Sequence, residues 1–376
     1  MEPRHGNRST VSRFSWLLSL VTPLALVLVG VVAQGTLLVP DPLEVPEVAS
    51  PLRWTPAPLR GWLLEQRPCG VTLALHSADP DFDYEGDLAE ISTTGARWVQ
   101  LKVSYYQARA DSSRVAVADI HTAPSWRVRR TIRQARGLGL RVAFLPVLLL
   151  QRPGVDDWRG NIRPLDRPLW HRSYRLWMGK LAELAESEGV EILCVGSEFN
   201  SLQGDGEEWL RTITAVRERY QGAVIYSANW DSYQKIPFSE ALDGMGVTAY
   251  QPLASGTEPT VAEMVSRWLP VRHQLRTWQR RERIPLLFTE IGYASIDGIA
   301  REPWDYTRDA PVDVLEQRDA YRAFLQAWDG VDELGGVFFY AWFGVGGKAD
   351  RSYTPRGKPA MEVLRQWIDL WEREHR

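Results

Sequence analysis

Two cysteines, Cys69 and Cys194, are too few for a disulfide framework, and no CxxC pair is present to hold a metal. They read as two separate buried thiols. Histidines are equally sparse: there are six, and none lies at ligand spacing from His76, which argues against a hydrolase built on a catalytic metal. Charge is nearly balanced, at a formal −3, so the chain carries no electrostatic footprint for nucleic acid. No Gly-x-Gly-x-x-Gly follows the first apolar run, which argues against a dinucleotide-binding turn. Asp79, Asp81 and Asp83 lack the glycine and distal glutamate of a calcium loop and read as a solvated helix entry.

What is present begins at the N-terminus. Arg4, Arg8 and Arg13 precede an almost wholly apolar run from Phe14 to Ala33. A basic flank before about 20 apolar residues fits a long secretory signal or an uncleaved anchor. Either one inserts in or crosses a membrane, keeps the N-terminus in the cytoplasm and exports the remainder. The run exceeds the roughly 7–15 residues of an ordinary signal core, which favours a retained anchor. Prolines crowd the stretch from Pro40 to Pro58 and keep it extended. The expected organisation is a signal or anchor over 1–38, a Pro-rich linker over 39–61, and one folded domain over 62–376. That domain is expected to be membrane-anchored facing outside the cytoplasm, or secreted.

From Gly70 onward, short apolar runs alternate with amphipathic stretches. Eight strands are expected: Val71–Leu75, Trp98–Val103, Arg141–Leu149, Ile192–Val195, Ala223–Ser227, Gly246–Ala249, Leu286–Thr289 and Gly336–Tyr340. Helical patterns separate most of them, a short turn around Phe238 to Leu242 follows the fifth, and a last helix closes the chain at Pro359–Arg373. Continuous apolar strands alternating with helices indicate a parallel sheet covered by helices. Eight repeats match a closed (β/α)8 TIM barrel better than an open doubly wound sheet.

Two strand ends then stand out. Glu198 follows the fourth strand in Gly196-Ser197-Glu198-Phe199-Asn200, and Glu290 follows the seventh in Thr289-Glu290-Ile291-Gly292-Tyr293. The C-terminal ends of barrel strands form the face where such folds carry chemistry. Strands four and seven lie roughly across that mouth, so the two carboxyls can meet over one sugar, as glycosidic cleavage requires. Seventeen tryptophans outnumber thirteen tyrosines and ten phenylalanines, an excess that suits stacking against sugar rings.

These segments resemble those of glycoside hydrolase family 113, whose characterised members are β-mannanases within the large clan of retaining barrel hydrolases. The likeness also takes in Tyr226-Ser227-Ala228-Asn229-Trp230-Asp231 and Gly246-Val247-Thr248-Ala249-Tyr250, and it spans about Gly70 to Trp371. It implies Glu198 as acid/base and Glu290 as nucleophile, the first with a raised pKa and the second kept ionised by a hydrogen bond from Tyr250. It implies an oligo- or polysaccharide substrate and needs no cofactor, since two carboxylates supply both proton transfer and the covalent intermediate. Asn229, Trp230 and Trp342 are expected to bind the reacting sugar, and His76 to bond a hydroxyl. Ser197 stands where the wider clan usually has an asparagine holding the sugar 2-hydroxyl. The third strand, Phe144–Leu149, lacks the polar residues expected at a mannanase mouth. A non-catalytic carbohydrate-binding barrel is the alternative, against which the two intact glutamates weigh.

Overall fold

The eight apolar runs form eight parallel strands: β1 (Cys69–Leu75), β2 (Trp98–Gln107), β3 (Arg141–Leu150), β4 (Ile192–Ser197), β5 (Ala223–Asn229), β6 (Gly244–Thr248), β7 (Leu286–Ile291) and β8 (Leu334–Trp342). They close in sequence order, β8 pairing with β1 from Cys69↔Val337 onward. The computed structural model describes residues 58–79, 81–115, 119 and 121–375. The signal or anchor expected over 1–38 and the linker as far as residue 57 lie outside them. Among the described residues, no helix is long and apolar enough to cross a membrane.

Side chains alternate between two apolar layers, as a period of two requires. Trp98, Leu145, Ile192, Ile225, Leu287 and Phe338 come from six different strands and pack into one cluster, which only the barrel interior allows. Their neighbours Val99, Phe144, Leu193, Val224, Phe288 and Val337 join the larger cluster under the helices. Those helices are α2 (Glu85–Ser92), α3 (Ser125–Gly137), α4 (Arg167–Ser187), α5 (Gly206–Arg217), α6 (Val261–Glu282), α7 (Val314–Trp328) and α8 (Ala360–Glu374). Between β5 and β6 the chain makes only two short 3-10 turns, Tyr233–Lys235 and Ser239–Ala241. Both cysteines are buried and unpaired, and burial pushes the Cys194 thiol up to about 12, leaving it unreactive.

The sequence pattern does not announce α1 (Arg60–Gln66), which begins inside the stretch expected to be linker. Leu63 on this helix is fully buried and joins the interior cluster. Trp62 meets Trp98 edge-on at 6.3 Å. The Arg60 guanidinium donates to the carbonyls of Leu242, Ser239 and Glu240, and the Leu59 N–H donates to Asp243 Oδ1 at 2.8 Å. Gly244 makes room for this plug, because a Cβ there would meet the Leu63 side chain at 2.5 Å. The domain therefore starts by Arg60, earlier than residue 62. Leu63→Ala opens a cavity in the barrel floor and is expected to cost about 2–4 kcal/mol, read as a lower urea midpoint. A loss below ~0.5 kcal/mol would show that α1 does not seal the floor.

Candidate active site

Along the inward face of β2 the chemistry changes step by step. Trp98 belongs to the apolar floor, whereas Gln100 is buried and donates to Thr72 Oγ1 at 2.9 Å and to the Thr289 carbonyl at 2.8 Å. Lys102, two residues on, carries its ammonium to 3.5 Å from the Tyr340 hydroxyl. The barrel thus turns polar toward the C-terminal ends of its strands, where the two glutamates stand.

Both glutamate strands bulge just before the acid. Pairing of β4 with β5 runs through Cys194↔Ile225 and then jumps to Ser197↔Ser227, so β4 carries one extra residue ahead of Glu198. Pairing of β6 with β7 passes from Val247↔Phe288 to Thr248↔Glu290, so β7 carries one extra at Thr289. Such bulges re-aim the side chain that follows. Glu198 itself has a left-handed φ of 56°, which costs a non-glycine residue on the order of 1–3 kcal/mol and marks a site held by its surroundings. Its N–H is fixed to the Ser227 carbonyl at 2.8 Å.

The two carboxyls are 5% and 4% exposed, and each is held by a hydroxyl from the end of β6. Thr248 donates to Glu198 Oε1 at 2.5 Å, and Tyr250, two residues farther along, donates to Glu290 Oε2 at 2.9 Å. The Arg159 guanidinium forms an ion pair with Glu198 Oε2. Arg159 opens the 3-10 turn Arg159–Asn161 beyond β3, and that turn is tied to the Glu198 loop by Ser201 N–H to the Gly160 carbonyl at 2.9 Å. Position 160 needs glycine because a Cβ there would stand 2.1 Å from the Trp158 ring. The polar group missing from the apolar β3 strand is therefore delivered by the loop after it.

Electrostatics at Glu290 run opposite to the expectation. Burial raises its pKa, the neighbouring Glu198 carboxylate raises it further, and Arg159, Lys102 and the Tyr250 hydroxyl only partly offset them. Arg159 loses stabilisation through burial, but the charges of Glu198 and Glu290 overcome this and hold its pKa above the ordinary value. Burial lowers the Lys102 ammonium, with Glu290 opposing.

The remaining expected residues take varied positions. Asn229 is half-buried and pairs across to Thr248, which places Trp230 on the same rim. The Trp342 indole N–H and the Ser197 hydroxyl are buried without a partner. His76 is exposed beyond β1, with Nδ1 3.1 Å from the Ala74 carbonyl and its ring edge-on to Phe343. Among the described residues, none of His76, Ser197 and Trp342 hydrogen-bonds either glutamate. Sequence reasoning passed over Gln100, Lys102, Arg159 and Thr248 as site residues. Of these, Gln100 and Lys102 left a signal: polar residues at alternate positions within an otherwise apolar strand. Three other acids, Asp297, Asp313 and Glu316, lie close enough together to hold a cation. They already serve the chain, Asp313 capping α7 and Glu316 accepting the N–H groups of Gly298 and Ala300.

The model of Glycoside Hydrolase Family 113 matches residues 82–354. The GH113 β-mannanase AaManA from Alicyclobacillus acidocaldarius, in complex with ManMIm, has a TM-score of 0.72 at 25% identity over 80% of this chain and 96% of that one. A GH113 β-1,4-mannanase complex gives 0.72 at 21% identity, covering 80% and 98%. The β-glucuronidase of Ruminococcus gnavus, at 12% identity and a TM-score of 0.54, shares only the fold, over 80% of this chain and 50% of that one. No curated protein sequence matches. The chain belongs to glycoside hydrolase family 113 and is an O-glycosyl hydrolase.

Proposed function

We propose that this protein is a retaining β-mannanase that cleaves β-linked mannan or its oligosaccharides by double displacement, with Glu290 as nucleophile and Glu198 as acid/base. One observation carries the reading: carboxyls from two different strands are both buried and are held by Thr248 and Tyr250, two residues apart at the end of β6, where the Glu198 charge bears on Glu290. Two carboxyls held by near neighbours on one strand end suit a retaining pair, which stands roughly 5–5.5 Å apart because no water must fit between base and sugar. The structurally similar β-mannanases support mannan as the polymer. In this reading Tyr250 orients Glu290, while the entering sugar takes Arg159 off Glu198 so that Glu198 can carry the proton to the leaving oxygen. The chain works outside the cytoplasm, tethered or released, as the basic flank and apolar run at Phe14 to Ala33 suggest.

The test is incubation of the full-length protein with β-mannan, glucomannan, β-glucan, xylan and aryl β-glycosides, with the first-formed anomer followed by NMR. Mannan-containing substrates should be cleaved fastest, giving the β-anomer first. Initial release of the α-anomer would exclude retention, and preference for xylan or β-glucan would exclude mannan.

A further inference from the structure

The long loop between β7 and α7 carries an indole that the catalytic reading leaves unused. Trp304 is 46% exposed and stacks on Trp230 with ring centroids 6.0 Å apart and planes at 20°. Two routes tie this pair to the two glutamates. Trp230 follows Asn229, whose register partner Thr248 holds Glu198. From the other side, Tyr250 holds Glu290 and packs edge-on against Tyr353 at 6.0 Å, and Tyr353 donates to the carbonyl of Pro303, next to Trp304, at 2.7 Å. An aromatic path thus leads from the catalytic centre outward to a solvent-facing indole.

The loop is also pinned. Glu316 accepts two of its N–H groups, Ile296 pairs with Val312, and Arg308 bonds both Glu302 and the Asp297 carbonyl. A large apolar ring exposed on so well-anchored a loop is preorganised for binding, since little freedom remains to be lost. The face of an indole suits the C–H face of a pyranose.

Resting on the reading above, we propose that Trp304, backed by the Trp230 ring, is a distal sugar platform, holding a pyranose ring of the same glycan beyond the unit being cleaved. The platform makes polymers and longer oligosaccharides better substrates than aryl glycosides, which do not reach it.

Affinity electrophoresis of the full-length protein in gels containing mannan, glucomannan or β-glucan measures binding apart from turnover. Wild type and Trp304→Phe are expected to be retarded by at least one polymer. Trp304→Ala should bind that polymer roughly 5- to 10-fold more weakly, the scale of one lost aromatic stack. In turnover, kcat/KM of Trp304→Ala should fall by about the same factor on the polymer and distinctly less on an aryl glycoside, with most of the change in KM. Equal retardation of wild type and Trp304→Ala, equal losses on long and short substrates, or a wild type retarded by none of the polymers would overturn the platform. A protein that is retarded in a Trp304-dependent way yet cleaves none of these substrates would keep the platform and remove the β-mannanase reading instead.

Discussion

Glu290→Gln is expected to lose hydrolysis of an aryl β-glycoside by roughly 10⁴-fold or more, the scale on which deletion of a covalent nucleophile acts in other hydrolases. Glutamine keeps the shape and can still meet the Tyr250 hydroxyl, but it cannot attack the anomeric carbon. Turnover at the wild-type rate would remove the nucleophile assignment. The same variant tests the electrostatics independently. Burial and the Glu198 charge raise the pKa of Glu290 in the folded chain. Below the unfolded carboxyl range, about 4.3, Glu290 is protonated in both states and its charge costs nothing. As pH rises through the folded value, ionisation penalises the native state alone, and stability is lost. Glu290→Gln should therefore melt above wild type at pH 7, with the gap closing toward pH 4. Loss of the attraction to Arg159 and Lys102 works the other way, but those contributions are already outweighed in the net upward shift. A gap that does not change with pH, or a less stable variant at neutral pH, would show that the buried charge is not the cost inferred here.

The barrel was legible because its strands are buried on both faces and so appear as unbroken apolar runs, and all eight expected strands are present. α1 was not, since seven residues after a proline-rich stretch offer too little periodicity, and its role depends on Leu63 reaching residues far along the chain. That Glu198 and Glu290 stand at strand ends was readable from the apolar runs before them. Their orientation was not, because the extra residues at β4 and β7 appear only when each strand is set beside its neighbour. Arg159 illustrates the same limit. Nothing local in its loop says that the turn beyond β3 folds over to the end of β4. Trp304 was hidden for a similar reason: its loop lies far in sequence from Trp230, and only the closed ring brings the rims of β5 and β7 near each other.

Glu198→Ala carries the second large effect, and its signature is a pattern across substrates rather than one rate. A general acid contributes roughly 10²–10⁴-fold where the departing oxygen needs a proton, and little where it leaves readily as an anion. Aryl glycosides with poor leaving groups should therefore slow by about that factor, while those with strongly acidic phenols slow far less. In the second half of the cycle the missing base should leave the glycosyl-enzyme waiting for water. Azide needs no base, and the gap left by the carboxylate lies beside Arg159, whose charge then has no partner at that place. Added azide should consequently restore turnover of the good-leaving-group substrates and yield a glycosyl azide of retained β configuration. Equal slowing across all leaving groups would remove the acid role from Glu198. An α-configured azide would instead mean that no covalent intermediate forms on the opposite face, and the assignment of Glu290 would fall with it.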